Sequence, residues 1–529
     1  MKIPIGYGLC AILTTSTMFA ATCESLAGVQ LAGTTIAAAQ SVSAGAFTPP
    51  GASQTGLAPA DFKKLPAFCR VQGVLRPSSD SNIQFEVWLP AAGWNGRYEG
   101  LGNGGFAGSI EYSGLGSAVA KGYVVSSTDT GHQGNAIAAQ WALDHPEKVT
   151  DFGYRAIHET AEKSKALIAA FFGNPPRRSY FSSCSNGGRE ALMEAQRFPA
   201  DYDGILAGAP ANYWTHLLAS AAAEIQFLND PASRIPAAKV PAIQAATLAA
   251  CDAQDGVKDG IIGDPQRCKF DAAQLLCKGA DSDSCLTASQ VASLQKLYAG
   301  THDSSGKPIF PGRVPGGEVG SNGWALWITG QAPNTSLMFA FGTQFYANMV
   351  FEKSAWDYRT FQVDRDTQAA DAKLARTLNA TDADLKPFRD RGGKLIVYHG
   401  WNDPAISPLN SIAYFREVQA KMGVKQTDRF ARLYLAPGVA HCAGGPGPDS
   451  FGQGVGDAAD PQHSMSKALE QWVENKTAPG AIIATKYKTG DPASGAVRTR
   501  PLCPYPQVAR YKGSGSIDDA ASFTCSEPR

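Results

Sequence analysis

The run from Arg178 to Leu192 places Ser185 between a strand-like segment and a helix-like one, with Gly187 and Gly188 just beyond Asn186. A serine at such a turn is suited to nucleophilic attack. Small neighbours let the backbone adopt a strained elbow, and the first N–H groups of the next helix face a developing oxyanion. Asn186 is the expected first donor. The usual spacing has glycine two residues before the serine; here that position is Ser183. A serine nucleophile needs a base and an acid that orients the base, and where the serine sits at such an elbow both follow it in the chain, acid first. Asp403 lies in Gly400-Trp401-Asn402-Asp403-Pro404, after the strand-like Lys394 to His399. His441 lies in Pro437-Gly438-Val439-Ala440-His441-Cys442, after the strand-like Ala431 to Leu435. His399 competes for the role of base, but at the end of an apolar run it reads as a histidine satisfied in the core.

Cys184 immediately precedes Ser185, and Cys442 immediately follows His441. A disulfide between them would join nucleophile and base across nearly half the chain. In the loop-entropy account such a crosslink is worth roughly 5 kcal/mol. It would also hold hydroxyl and imidazole within hydrogen-bond reach, where small misplacements cost rate.

Serine, acid and base must be positioned by a scaffold. Gly122 to Ser127 and Lys394 to His399 are short β-branched runs of the kind buried in parallel sheets, and Ile83 to Leu89 alternates as a half-buried strand does. Helical patterns run from Tyr154 to Phe172 and from Ser464 to Glu474. Strands alternating with helices predict an α/β fold on a mainly parallel sheet. Residues 24 to about 60 are rich in Ala, Gly and Ser and read as an N-terminal arm outside the core. The pattern breaks between 210 and 385 and resumes at Arg391-Gly392-Gly393-Lys394. This predicts a core in two parts, 23–209 and 386–529, with a second domain inserted at 210–385.

With 529 residues, two domains are expected. Basic and acidic residues number 47 each, so no electrostatic attraction to nucleic acid or an anionic membrane is expected. Lys2, the apolar run Ile5 to Phe19 and the small residues Ala20-Ala21-Thr22 read as an export signal over residues 1–22. That run is too short to span a membrane. The chain has eleven cysteines, and loss of Cys10 with the signal leaves an even number. Cys251 with Cys268, Cys277 with Cys285 and Cys503 with Cys525 are close in sequence, as local disulfides of an oxidising compartment are. No CxxC or CxxH spacing supports zinc. A secreted or periplasmic protein follows.

Two stretches of the insertion have chemistry of their own. Cys251 to Ile261 carries Asp252, Asp255 and Asp259 in one short loop with two Asp-Gly turns. Hard oxygen donors so close together suit Ca²⁺, although the spacing is not that of an EF-hand and Asp-Gly also marks plain solvated turns. Residues 319 to 351 hold no charged side chain yet include Trp324, Trp327, Phe339, Phe341, Phe345 and Tyr346. Most of these are expected in the insertion's core; some would form an aromatic wall for a substrate ring.

The Cys184-Ser185 and His441-Cys442 pairs with Asp403 between them resemble the tannase and feruloyl esterase family. The likeness extends through Trp94-Asn95-Gly96-Arg97, Arg197-Phe198-Pro199, Tyr202-Asp203-Gly204-Ile205, Gly208-Ala209-Pro210 and Arg500 to Pro506. It implies an α/β-hydrolase core with an inserted lid domain, and hydrolysis of esters of aromatic acids. It implies the pairings Cys23–Cys69, Cys184–Cys442, Cys251–Cys268, Cys277–Cys285 and Cys503–Cys525. It favours Gly105, in the loop Gly102-Asn103-Gly104-Gly105, as second oxyanion donor, and puts Trp327 at a substrate-packing position. It also implies a structural calcium held by the side chains of Asp252, Asp255 and Asp259 and the carbonyls of Val257 and Ile261, with no organic cofactor. In terephthalate-type members a lid arginine grips the free carboxylate, and no arginine occurs between Arg313 and Arg359. A neutral acyl group, hydroxycinnamic or gallic, is therefore expected before a terephthalate half-ester. A non-catalytic binding protein on the same scaffold is the reading from another class, set against a full complement of Ser185, Asp403 and His441.

Overall fold

The computed structural model of the protein describes residues 22–50, 61–453 and 460–528, so the export signal lies outside the described residues apart from Thr22. Among the described residues the main sheet has nine strands: β1 (Thr34–Val42), β2 (Phe68–Leu75), β3 (Ile83–Pro90), β4 (Arg97–Leu101), β5 (Val124–Thr128), β6 (Arg178–Cys184), β7 (Gly204–Gly208), β8 (Lys394–Gly400) and β9 (Ala431–Ala436). Their spatial order is β1-β2-β3-β5-β4-β6-β7-β8-β9. β1, β2 and β3 pair antiparallel with their neighbours, and from β5 to β9 every pairing is parallel. This is the sheet of an α/β hydrolase.

Two sequence expectations are corrected. Thr34–Val42 is an edge strand paired with β2, not part of a free arm; its alternation of half-buried and exposed residues suits an edge with one covered face. Ile83–Pro90 is buried on almost every residue, not half-buried, because it lies inside the sheet between β2 and β5. Its polar members are paired there: Glu86 accepts hydrogen bonds from Arg70, Gln72 and the Trp88 indole.

The longer helices are α1 (Tyr112–Val119), α2 (Ala156–Phe172), α3 (Asn186–Arg197), α4 (Trp214–Leu228), α5 (Val240–Cys251), α6 (Ala288–Ala299), α7 (Leu337–Gln344), α8 (Val363–Leu378), α9 (Pro408–Met422) and α10 (Met465–Asn475). Residues of α2, α3 and α9 bury one apolar face of the sheet; α1 and α10 bury the other. Ser464 caps α10 by accepting the Lys467 N–H, and Gly173 ends α2 in the left-handed conformation that favours glycine. Between β7 and β8 the chain leaves the sheet and adds α4 to α8. These helices gather a separate apolar cluster around Trp324, Phe345 and Tyr346, which also takes in Phe106 and Phe152 from the loops after β4 and β5. Aromatic residues of the charge-free stretch thus largely fill an interior.

Five disulfides close the chain: Cys23–Cys69, Cys184–Cys442, Cys251–Cys268, Cys277–Cys285 and Cys503–Cys525. All five pairings are those the family resemblance implied. Among the described residues no helix is long and apolar enough to cross a membrane.

Candidate active site

Ser185 stands between β6 and α3 with φ +67° and ψ −123°, a strained conformation for a residue with a side chain. Hydrogen bonds hold it there: its N–H donates to Gly208 O, and its carbonyl accepts from the N–H groups of Arg189 and Ala211. The helix beyond can approach only because two residues of its first turn, Gly187 and Gly188, lack side chains. A Cβ on Gly188 would sit 2.2 Å from Gly208 O, and one on Gly187 would sit 1.9 Å from Ser183 Oγ. The second contact explains Ser183. Its hydroxymethyl group occupies the space that a glycine would leave open, and Gly187 gives it room.

Asp403 leaves β8 and His441 leaves β9, and both reach the elbow. His441 Nε2 lies 2.9 Å from Ser185 Oγ, and His441 Nδ1 lies 2.7 Å from Asp403 Oδ2. Asp403 is buried, its other oxygen accepting the backbone N–H groups of Ala405 and Ile406 at 2.8 and 2.9 Å. Burial alone would push its carboxyl up. The positive field of His441 and the hydrogen bonds from His399 and His441 outweigh burial and hold the carboxyl well below the usual range, so it is ionised at neutral pH. Cys184–Cys442 closes the assembly beside it, and Cys442, like Ser185, has a positive φ, +64°.

Asn186 is the first residue of α3, where a helix leaves N–H groups unsatisfied. Gly105 has φ +55°, and a Cβ there would meet Ala136 O at 2.4 Å, so the loop closes only with glycine. The loops that carry Asn186 and Gly105 are tied together underneath. Glu190 accepts the Asn103 N–H at 2.9 Å and the Asn186 side-chain amide at 2.9 Å. Arg189, fully buried, donates to Asn186 Oδ1 and to the carbonyls of Gly153 and Phe152. Burial raises Glu190 to about 7 and lowers Arg189 to about 10. Sequence reasoning missed this network; its only signal was a pair of adjacent charges, Arg189-Glu190, in an otherwise small-residue helix start.

Trp327 comes from the insertion. Its ring meets that of His441 edge-on at 5.0 Å, and it stacks at 6.3 Å on Phe341, which in turn lies 5.2 Å from Phe106. The indole N–H donates to Asn322 Oδ1 at 2.6 Å, and Asn322 Nδ2 donates to His441 O at 3.0 Å. Asn322 was not foreseen, because an exposed-looking Ser-Asn-Gly turn carries no signal of its partner. Trp327 and Phe341, both half-buried, give the site an aromatic border, with the buried Phe106 behind Phe341.

In the acidic loop, Asp252 accepts the N–H groups of Asp259 and Gly260, and Asp255 accepts that of Val257. Asp259 is paired with Arg500 and Arg498. Burial, then repulsion from Asp259 and Asp252, pushes Asp255 up to about 6. The oxygens of these three carboxylates do not all lie within 4.8 Å of one another, and Arg498 and Arg500 already neutralise Asp259, so a hard cation would have to draw them together.

A model of the family "Tannase and feruloyl esterase" matches residues 69–526. An uncharacterized esterase of Xanthomonas campestris pv. campestris is 44% identical, over 97% of this chain and 92% of its own. Mono(2-hydroxyethyl) terephthalate hydrolase of Piscinibacter sakaiensis is 34% identical over 89% of this chain and 87% of its own. The crystal structure of feruloyl esterase B from Aspergillus oryzae superposes with a TM-score of 0.87 at 31% identity, covering 95% of this chain and 99% of that one. With the hydrogen-bonded serine, histidine and aspartate on an α/β-hydrolase sheet, these likenesses show that the chain belongs to the tannase and feruloyl esterase family and is a carboxylic ester hydrolase.

Proposed function

We propose that the protein is an exported serine esterase that hydrolyses small esters of aromatic acids, hydroxycinnamic or gallic, through an acyl-enzyme. The observation that carries this reading is the unbroken chain Ser185 Oγ–His441–Asp403 at a strained elbow. His441 takes the serine proton as Oγ attacks the ester carbonyl, and Asp403 keeps the imidazole in the productive tautomer and supports its charge. The N–H groups of Asn186 and Gly105 receive the oxyanion. The protonated histidine then gives its proton to the leaving alcohol, and the same residue activates the water that releases the acid.

Residues 210–385 act as the lid, with Trp327 and Phe341 packing the acyl ring. Their stretch offers no cation for a free carboxylate, which favours a neutral acyl group. The 34% identity to the terephthalate half-ester hydrolase supports that substrate as the second reading. Comparing kcat/KM for methyl ferulate, methyl gallate and mono(hydroxyethyl) terephthalate decides between them; a clear preference for the last would reverse the assignment. Absence of a p-nitrophenolate burst from a short-chain ester would point instead to a non-catalytic binding protein.

Calcium held by Asp252, Asp255 and Asp259, with the carbonyls of Val257 and Ile261, would fasten the lid beside Cys251–Cys268. Chelation then lowers the Tm, and an unchanged Tm would remove calcium from the reading. Export rests on the N-terminal pattern and on the five disulfides, which suit an oxidising compartment.

A further inference from the structure

His399 is the penultimate residue of β8 and is fully buried, yet its imidazole does not simply fill the core. Nε2 lies 3.1 Å from Asp403 Oδ2, the oxygen that also receives His441 Nδ1, and 3.0 Å from Ile406 O. Nδ1 lies 2.8 Å from the hydroxyl of Ser411, a fully buried residue of α9. Both neighbours of Nε2 are pure acceptors, a carboxylate and a carbonyl. Nε2 must therefore carry hydrogen in either protonation state of the ring. In the neutral ring Nδ1 is then an acceptor, and the Ser411 hydroxyl is the donor that satisfies it.

We infer that His399 is a positioning residue for the proposed reaction: its Nε2–H, held in that tautomer by Ser411, grips the oxygen of Asp403 that orients His441. The inference rests on the triad reading above and extends it to five residues, Ser411–His399–Asp403–His441–Ser185. The backbone N–H groups of Ala405 and Ile406 hold Oδ1, and His441 alone would hold Oδ2. His399 adds a second donor at Oδ2, so rotation of the rigid carboxylate is opposed at both oxygens even as His441 moves its proton. It also draws negative charge from Oδ2, so it moderates the pull of Asp403 on the imidazolium that forms as Ser185 attacks. The titratable groups around Asp403 are His441, His399 and the buried Tyr398.

The test compares His399→Phe, His399→Gln, Ser411→Ala and Ser185→Ala in the full chain, by kcat, KM, Tm and the pH profile of kcat/KM. One hydrogen bond to a charged acceptor corresponds to about a ten- to hundred-fold change in rate. His399→Phe is expected to lose that much in kcat with KM little changed, and to move the acidic limb of the profile to higher pH. His399→Gln, whose amide can donate from the Nε2 position, is expected to recover most of kcat. A merely structural histidine would move the Tm of both variants and leave the acidic limb in place. Unaltered kcat and acidic limb in His399→Phe, with Ser185→Ala inactive, would overturn the positioning role alone. An active Ser185→Ala would overturn the parent reading and this inference together. If His399→Phe does not fold, Ser411→Ala decides: a several-fold lower kcat with a raised acidic limb supports the relay, and a wild-type profile overturns it.

Discussion

Ser185, Asp403 and His441 stand on loops that leave three parallel strands of one sheet, whereas Trp327 and Asn322 stand on a stretch whose nearest regular element is the four-residue helix Trp324–Trp327. The two regions hold their side chains by different means. At the sheet edge, strand pairing, the strained elbow, the Cys184–Cys442 bond and the Glu190–Asn103 clamp all constrain the same few atoms. On the lid side one amide, that of Asn322, joins the Trp327 indole to the His441 carbonyl. The proposed triad is over-determined by the scaffold, while the surface proposed to meet the acyl group depends on a few side-chain contacts. Reaction type and substrate choice therefore rest on separable supports.

That contrast can be broken most severely at the nucleophile. Ser185→Ala should lower kcat by about four to six orders of magnitude, with Tm unchanged, since the residues that fix the elbow remain. Residual turnover near the wild-type rate would remove the triad from the mechanism. The next largest effect is on stability. Replacing Cys184 and Cys442 together by Ala should cost roughly 5 kcal/mol in denaturant unfolding, because the bond closes so long a loop. It should also lower kcat as hydroxyl and imidazole drift apart; a loss of stability without a loss of rate would mean that the sheet alone sets their spacing.

Glu190 sharpens the comparison through pH. Buried, it titrates at about 7 instead of its ordinary 4.5. Between those values the folded chain keeps a proton that the unfolded chain has released, so stability falls as pH rises, and the penalty is complete above about 7. It amounts to a few kcal/mol. Wild-type Tm should therefore drop from about pH 5 to about pH 8 more steeply than that of Glu190→Gln; parallel slopes would show that the carboxylate is not strained by burial. The smallest effect belongs to the inserted segment. Asn322→Ala removes the hydrogen bonds to the carbonyls of His441 and Ala443 and the one from Trp327, each worth about 1 kcal/mol. A several-fold rise in KM for aromatic esters with kcat nearly kept is the expected outcome. A large fall in kcat would show that the lid, too, positions the base.

Much of the site could be read before any fold was known because it is carried by local constraints. An elbow needs glycines beside its serine, so Gly187 and Gly188 advertise Ser185. A base and an acid in the right chain order, one of them flanked by cysteine, advertise His441 and Asp403. The missed residues lack such local marks. Glu190 in a helix start and Asn322 in a polar turn are defined by partners 87 and 119 residues away, whereas His399, read as a satisfied core histidine, is one whose core partner is the carboxylate of Asp403. The misjudged strands have the same origin. Thr34–Val42 is poor in large apolar residues because an edge strand with one covered face needs few, and Ile83–Pro90 alternates although the sheet buries both its faces.

Read alone, the chain determined the order of its proposed catalytic groups, the alternation of strands and helices, and the class of an ester hydrolase, since these depend on residue type and short spacing. Only the tertiary structure decided which oxygen of Asp403 faces two imidazoles, which loops Glu190 joins, and where Trp327 meets His441. Hydrogen bonds act over about 3 Å and between specific atoms. Strands far apart in the chain must first be brought side by side before such distances exist.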